Sequence, residues 1–476
     1  MYSKSIVVGG AFLILIAVFN KEGYYHSDEH YQILEWASSQ LKHNDYERLP
    51  WEFNEQIRPN FQTVICKITI SLSELFGVSN PHVISLIIRL LAALVSFLAL
   101  LSMYRLLSKI YKEIRPWIIA SCTFLFWCVP VLSVRFSSEI LGGAFLCIAI
   151  CRILDTDKKK IWNHLIIGSL MGLSFITRFQ MGLCILGIFI WALTMNRYSF
   201  KICSVWIIGI FFSLIILLLC DFHVYDEWVF TPWSYFKSNL IEGVSSDFGV
   251  KPFYHYFHQL VLKLSPPIGL ALILCLFISL FKRKFHLFNV VIWSLLVTHM
   301  VIPHKELRFI YPLIFLSPWL ILEAYIFIRK WKYARLILIP IAVVNLFIII
   351  PALAAPAGEG QIRMIRLLEE KNENKNKPLI LNFTPKNNPL DPLGGLYANF
   401  YIESPVEYKE VDLLNDMGYK DKIFPGEFFV LSEKDFERLN AENWNVIDYN
   451  LQPWLHPFYR IYRGRKFRLL LLISPK

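Results

Sequence analysis

Several stretches of this sequence run for about 15 to 22 residues with almost no charge. Backbone in such a stretch has few ways to satisfy its own polar groups other than as helices packed in a bilayer. Eleven spans follow from the apolar runs, at residues 5–19, 82–108, 116–134, 139–154, 161–177, 180–195, 202–220, 259–281, 287–303, 308–328 and 336–353. The composition agrees: 55% of residues are hydrophobic and only 18% charged, with mean hydropathy +0.45. Soluble domains carry roughly 25% charged residues, so an ordinary cytosolic enzyme is excluded, as are disorder, collagen and a coiled coil. The first span is followed by no small-residue cleavage site and is read as a retained helix.

The placement of charge sets the topology. The net excess of +11 lies entirely within the first 356 residues, because the rest of the chain is balanced. With the N-terminus cytoplasmic, the lysines and arginines at residues 105–115, 152–160, 197–201, 282–284 and 329–335 all fall on inner loops, as the positive-inside rule requires. Basic charge of this kind faces lipid headgroups, and nothing in it calls for nucleic acid. The odd number of spans places three large pieces on the outer side: residues 20–81, 221–258 and 354–476. The chain is thus expected to be an all-α polytopic membrane domain, residues 1–353, followed by a small extracytoplasmic α/β domain, residues 354–476. Strand-like runs at 378–383, 427–431, 444–449 and 466–473 and a helical stretch at 432–440 support the second domain. In the first outer loop, residues 27–41 read as an amphipathic helix with Ser27 as N-cap and Tyr31, Leu34, Trp36 and Leu41 as apolar contacts, able to lie flat at the lipid interface.

Ionisable groups at a membrane edge are costly to desolvate and mark sites. Four sets fall on the outer side: His26-Ser27-Asp28-Glu29-His30, Arg135 with Glu139, Arg178, and His304-Lys305-Glu306-Leu307-Arg308. Asp226, Glu227, Lys237, His255 and His258 join them from the long outer loop. Asp28 or Glu29 can take a proton from a sugar hydroxyl. Lys305, Arg308 and Arg178 can hold a phosphate through charge-assisted hydrogen bonds. Trp51, Trp228, Trp233, Tyr235, Tyr254 and Tyr256 can stack on sugar faces. Glycosyl transfer from a lipid phosphate suits these groups, and hydrolysis or transport suits them as well.

No HExxH or paired-Asp motif accompanies His26 and His30, so no metal is expected. The nine cysteines include no CxxC pair, and none follows Cys275, which argues against a disulfide framework or zinc site. No glycine-rich nucleotide loop is visible, so an activated sugar would arrive on lipid.

Four blocks of the sequence resemble the Alg9-like mannosyltransferases (glycosyltransferase family 22), the group containing the GPI-anchor and N-glycan precursor mannosyltransferases. His26-Ser27-Asp28-Glu29, followed by Gln32 and Glu35-Trp36, matches the family's His-Pro-Asp-Glu block. Trp51-Glu52-Phe53 with Ile57-Arg58 matches its Trp-Glu block and Ile-Arg pair. The outer loop matches through Asp226, Trp228, Phe230-Thr231-Pro232, Asn239, Gly243, Phe248-Gly249, Pro252 and Tyr256-Phe257. His304-Lys305-Glu306 with Arg308-Phe309 and Pro312 matches the His-Lys-Glu-Glu-Arg-Phe signature. Ser27 departs from the family's proline, and Leu307 from the signature's second glutamate. The C-terminal domain matches nothing in the family.

The resemblance implies a GT-C fold with about eleven transmembrane helices. It implies inverting transfer of a sugar, usually mannose, from a polyprenyl-phosphate donor to a glycan or glycolipid acceptor at the lipid bilayer. On it, Asp28 is the general base and Glu29 positions the acceptor or shares that role. His304 and Lys305 bind the departing phosphate, with Arg308 and Arg178 added from their chemistry, and Glu306 orients Lys305. Trp51, Glu52, Arg58, Asp226 and Tyr256 fall to the acceptor side and its loop. No cofactor is implied. A bacterial inner membrane with a periplasmic site is the favoured setting, and the endoplasmic reticulum with a lumenal site is the alternative. Two rival readings are a non-catalytic carrier of lipid-linked glycans and a ligase or polymerase moving whole glycans. Polar groups gathered at one face disfavour the carrier, which would place them near the midplane. The ligase would call for a larger cation cluster.

Overall fold

The computed structural model describes residues 2–41, 49–155, 160–195, 197–371, 379–383, 398–402, 406–410, 427–438, 444–463 and 469–475. Lys158, Lys159 and the outer ends of three C-terminal segments read from the sequence (378, 439–440 and 466–468) lie outside them. The chain divides into two compact units. The first comprises residues 1–17, 51–64 and 89–352. The second takes residues 18–50, 65–88 and 353–476.

In the first unit the apolar runs form helices, and among the described residues five helices are long and apolar enough to cross a membrane: Tyr2–Asn20, Pro81–Ile110, Phe200–Tyr225, Pro266–Arg283 and Ala334–Ala354. Leu307–Phe315 and Ser317–Ile328 form a sixth if taken together, bent by 69° at their junction. Ile161–Thr177, Met181–Thr194 and Leu287–Val301 are shorter apolar helices. Three expected spans are interrupted: 308–328 at the 69° bend, and two more. Pro116–Phe124 gives way to a short helix at Cys128–Leu132, and at the break Asn345 closes the freed backbone groups. Its Oδ1 accepts from Trp127 N at 2.9 Å and its Nδ2 donates to Leu125 O at 2.7 Å. A broken helix in a membrane persists where a neighbour satisfies its orphaned groups. The run at 259–281 likewise splits into His255–Lys263 and Pro266–Arg283, with Ser265 at φ 75° and the proline pair opening the second helix.

Close approach of helices rests on small residues, since lipid supplies no hydrophobic drive between them. The Ile161–Thr177 and Phe200–Tyr225 helices touch backbone to backbone where a Cβ on Gly168 would meet Trp206 O at 2.3 Å. Ser213 Oγ adds a hydrogen bond to Ser169 O at 3.0 Å. On Ser138–Asp155, a Cβ on Gly143 would sit 2.7 Å from Pro312 Cα. That glycine lets the helix lie against the Leu307–Phe315 segment, which sets the distance between the charges at their ends.

The second unit holds a five-stranded sheet of β1 (Leu379–Phe383), β2 (Val406–Glu410), β3 (Phe428–Ser432), β4 (Trp444–Tyr449) and β5 (Leu470–Pro475), in the order β2-β1-β3-β5-β4. β1 pairs in parallel with β2 and β3, and β5 runs antiparallel to β3 and β4. Phe429, Leu431, Leu469, Leu471 and Ile473 form its core, with Phe436, Trp444 and Tyr449 packed against them. The Gln361–Lys371 helix buries Ile362, Met364, Ile365 and Leu368.

The aromatic segment at 27–41 departs from the expected surface helix. Tyr31, Leu34, Trp36 and Ala37 are buried, so it is a core element of the second unit. Its N-cap is His26, whose side chain accepts from Asp28 N, where Ser27 was expected. Residues His30–Glu35 form a π-helix. That wider turn brings together residues five apart, and His30 Nε2 lies 2.8 Å from Glu35 Oε2, both side chains buried. Single π-turns of this kind concentrate at functional sites.

Candidate active site

The sequence-expected site residues divide between the units: Asp28 and Glu29 belong to the second, the remainder to the first. Each group is described in turn.

Glu139 stands in the first turn of the Ser138–Asp155 helix, where free backbone N–H groups favour an anion. Arg178 caps the C-terminal end of Ile161–Thr177, where carbonyls favour a cation. Its N–H bonds Ser174 O at 3.1 Å. The two meet at 2.8 Å, with side chains 3% and 4% exposed, and Arg178 Nη1 also donates to Ser138 Oγ at 3.1 Å. The same Glu139 oxygen lies 3.7 Å from Arg308 Nη1. Arg308 Nε donates to Glu306, whose other oxygen is 2.9 Å from His304 Nε2. Both guanidiniums lie over the Phe309 ring, with each Cζ 5.2 Å from its centroid.

A chain of alternating charge therefore runs Arg178–Glu139–Arg308–Glu306–His304. Lys305, the neighbour of His304 and Glu306, is buried at the same segment. Counting it, three fixed cations face two carboxylates, an excess of one positive charge before His304 is included. Such an excess in a poorly solvated place favours an anion. His304 (15% exposed) and Arg308 (13%) are the accessible edge, and Arg178 and Lys305 stand behind them. Tyr256 is fully buried nearby, and burial raises its hydroxyl above the ordinary tyrosine value, with Arg178 and Glu306 as its charged neighbours.

Lys305 and Glu306 have partners that the sequence alone does not show. Lys305 Nζ donates to main-chain carbonyls: Lys251 O at 2.9 Å, Ile302 O at 2.5 Å and Pro303 O at 3.4 Å. Burial lowers its ammonium below the usual lysine range. Lys251 N returns a bond to Pro303 O at 3.0 Å, and His304 Nδ1 lies 3.1 Å from Gly249 O. The Lys305 ammonium thus straps the outer loop to this segment, and Glu306 bridges His304 and Arg308.

The Trp-Glu block joins the same cluster through aromatic contacts. Trp51 stacks on Phe248 at 6.2 Å, and Phe248 meets His304 edge-on at 6.1 Å. Glu52 Oε1 accepts from Arg58 Nη2 at 2.6 Å and from Nε at 3.3 Å. The Arg58 guanidinium lies 5.7 Å from the Tyr235 ring centre. The Tyr235 hydroxyl bonds Gln180, two residues past Arg178. Asp226 is a different matter: it is exposed and ends the Phe200–Tyr225 helix in a left-handed conformation (φ 58°). The carboxylate that organises this region is Asp221, the first residue of the outer piece 221–258, which sequence reading passed over. It is fully buried and accepts from Asn60 N at 2.9 Å, Asn60 Nδ2 at 3.1 Å and Thr231 Oγ1 at 2.6 Å. Its one signal was an acidic residue set directly against the end of an apolar run.

In the second unit, Asp28 Oδ1 lies 3.3 Å from both Ser27 Oγ and His26 Nδ1, with its side chain 20% exposed. Glu29 accepts from Tyr25 N, which closes the turn before the short helix. Behind them, Glu35 accepts from Phe400 N at 3.1 and 3.2 Å, and His30 is stacked between Tyr24 and Tyr401. Glu22, also buried, contacts His82 Nδ1 at 2.6 Å and Arg366 Nη1 at 3.0 Å. These buried pairs fix the segment that carries Asp28. Among the described residues no three His, Cys, Asp or Glu form a group able to hold a metal ion.

A family model for the Alg9-like mannosyltransferase family matches residues 10–379. GPI alpha-1,2-mannosyltransferase 3 of Bos taurus is 26% identical over 299 residues, covering 60% of this chain and 52% of that protein. The Homo sapiens protein of the same name is 24% identical over 294 residues, covering 59% and 50%. The chain thus spans about half the length of the curated relatives it matches. Among solved structures, apo ArnT from Cupriavidus metallidurans superposes with TM-score 0.51 at 11% identity, covering 98% of this chain and 97% of that one. The apo oligosaccharyltransferase of Archaeoglobus fulgidus gives the same TM-score at 11% identity, covering 90% and 69%. At such identity the likeness shows the fold alone.

Proposed function

The chain belongs to the Alg9-like mannosyltransferase family, and from that premise we propose that it transfers a mannosyl residue, with inversion, from a polyprenyl phosphate to the hydroxyl of a glycan or glycolipid acceptor. The observation that carries the reading is the cation-rich cluster at His304–Arg308. Two accessible donors, His304 and Arg308, are held by Glu306 and backed by the buried Glu139–Arg178 pair. Donors fixed in advance stabilise developing negative charge without having to reorganise.

In the proposed reaction Asp28 removes the acceptor hydroxyl proton and Glu29 positions the acceptor. The acceptor oxygen bonds the anomeric carbon as the bond from that carbon to the phosphate oxygen breaks, through an oxocarbenium-like state. The electron pair leaves on the lipid phosphate, where His304 and Arg308 receive it. Lys305 and Arg178 add positive charge from behind. Phosphate leaves readily as an anion, so no general acid is demanded, and fixed cations serve in place of a divalent metal. Dolichyl and undecaprenyl phosphates both satisfy this chemistry, and the chain works in a bacterial inner membrane or in the endoplasmic reticulum. On the topology read from the sequence, eleven spans with an inner N-terminus, the His304–Arg308 segment and the C-terminal sheet face away from the cytoplasm.

The test is donor use by the purified chain. Label should pass to a glycolipid acceptor from polyprenyl-phosphate mannose and not from GDP-mannose. Transfer from the nucleotide sugar alone would refute the reading.

A further inference from the structure

Asp221 is a buried carboxylate on an apolar helix, and its three partners are neutral donors. A charge taken out of water persists only where several hydrogen bonds compensate it. The donors come from two segments distant in sequence. Asn60 follows Arg58 by two residues, and Thr231 precedes Tyr235 by four, in the helix Thr231–Phe236. Those two residues are the ones whose side chains meet, the Arg58 guanidinium over the Tyr235 ring. One turn beyond Asp221, Tyr225 donates its hydroxyl to Arg58 O at 3.1 Å, so the same helix end grips the Arg58 segment twice. Each partner of Asp221 is thereby linked to one half of the Arg58–Tyr235 contact. Arg58 holds Glu52, and Tyr235 holds Gln180 beside the Arg178 turn.

We infer that Asp221 is a positioning residue of the transfer site: it acts on the reaction by fixing Arg58 and Tyr235 against each other. The inference rests on the glycosyl-transfer reading for its catalytic half and on geometry alone for its anchoring half. Asp221→Asn keeps an oxygen for Asn60 and an amide for Thr231, so it preserves the anchor. Asp221→Ala removes all three bonds.

Two measurements on the full chain in detergent test this. In the first, hydrogen–deuterium exchange should rise in Asp221→Ala across peptides 58–62 and 230–241, leave strand 428–432 unchanged, and stay near wild type in Asp221→Asn. In the second, transfer from polyprenyl-phosphate mannose should fall about tenfold in Asp221→Ala, as misplacement by a fraction of an ångström costs, and be kept in Asp221→Asn. The loss should not grow when Tyr235→Ala is added, because coupled residues do not add. Unchanged exchange in those peptides would overturn the anchor. Raised exchange with normal turnover, or fully additive losses with Tyr235→Ala, would overturn the positioning role. Should the wild type transfer nothing, the functional reading falls, and the exchange measurement still decides the anchor.

Discussion

Replacing Glu139 by alanine should be among the most damaging single changes in the first unit. Glu139 and Arg178 meet at 2.8 Å and are almost wholly buried, and the same carboxylate oxygen lies 3.7 Å from Arg308. Deleting it leaves Arg178 with a serine hydroxyl and an aromatic face, and it sets two guanidiniums near each other with their shared anion gone. An orphaned buried charge of this kind costs about 3–5 kcal/mol. Coulomb's law at an effective dielectric constant near 20 gives about 6 kcal/mol for unit charges 2.8 Å apart, a figure of the same order. Arg308 keeps Glu306 and adds little. Glu139→Gln retains an oxygen acceptor and loses the charge, so it should cost roughly half as much. The double variant Glu139→Leu, Arg178→Met removes both charges and should recover most of the loss, because well-packed apolar replacements of buried pairs are often neutral. Unfolding midpoints in detergent, for the two single variants and the pair, measure this. A cost for Glu139→Ala below about 0.5 kcal/mol, the range of surface changes, would refute the reasoning. So would a double variant no more stable than the alanine variant.

Gly143→Ala should destabilise by about 1–3 kcal/mol, the usual overpacking cost, because its Cβ would meet Pro312 Cα at 2.7 Å. Gly9→Ala, with nothing within 4 Å of the new Cβ, should stabilise slightly in the same unfolding assay. Lys305→Ala should raise the KM for the lipid-phosphate donor about tenfold, the effect of losing roughly 1.4 kcal/mol of binding. It should leave the acceptor KM nearly unchanged, and equal losses for both would contradict the positive charge it adds from behind the donor cluster. Transfer should continue in excess EDTA, and activity lost to chelator and restored by added metal would contradict a metal-free clamp.

The residues themselves explain which parts of this structure were legible in the sequence. Apolar runs announced the helices because only a helix closes its own hydrogen bonds in lipid, and the run at 161–177 has the bounds of its helix. The breaks near Leu125 and Ser265 were hidden. Hydropathy averages over them, and the group that repairs the first, Asn345, lies far along the chain. The charged sets around Glu139, Arg178 and His304–Arg308 could be picked out because charge is rare there. Their pairing order depends on how closely Gly143 lets two segments approach, which no local pattern encodes. The π-turn at His30–Glu35 was missed because its period differs from the helix and strand templates applied to it. Lys305 shows a different limit: its residue type offers a phosphate ligand, and only the fold reveals the carbonyls it already holds.

The most direct measurement compares wild type with Asp28→Asn for transfer of labelled mannose from a polyprenyl phosphate to a glycolipid acceptor, with donor binding followed in the same preparations. Loss of transfer with donor binding intact is the predicted result. Near-normal turnover by Asp28→Asn would show that another group takes the proton and would contradict the mechanism at its base.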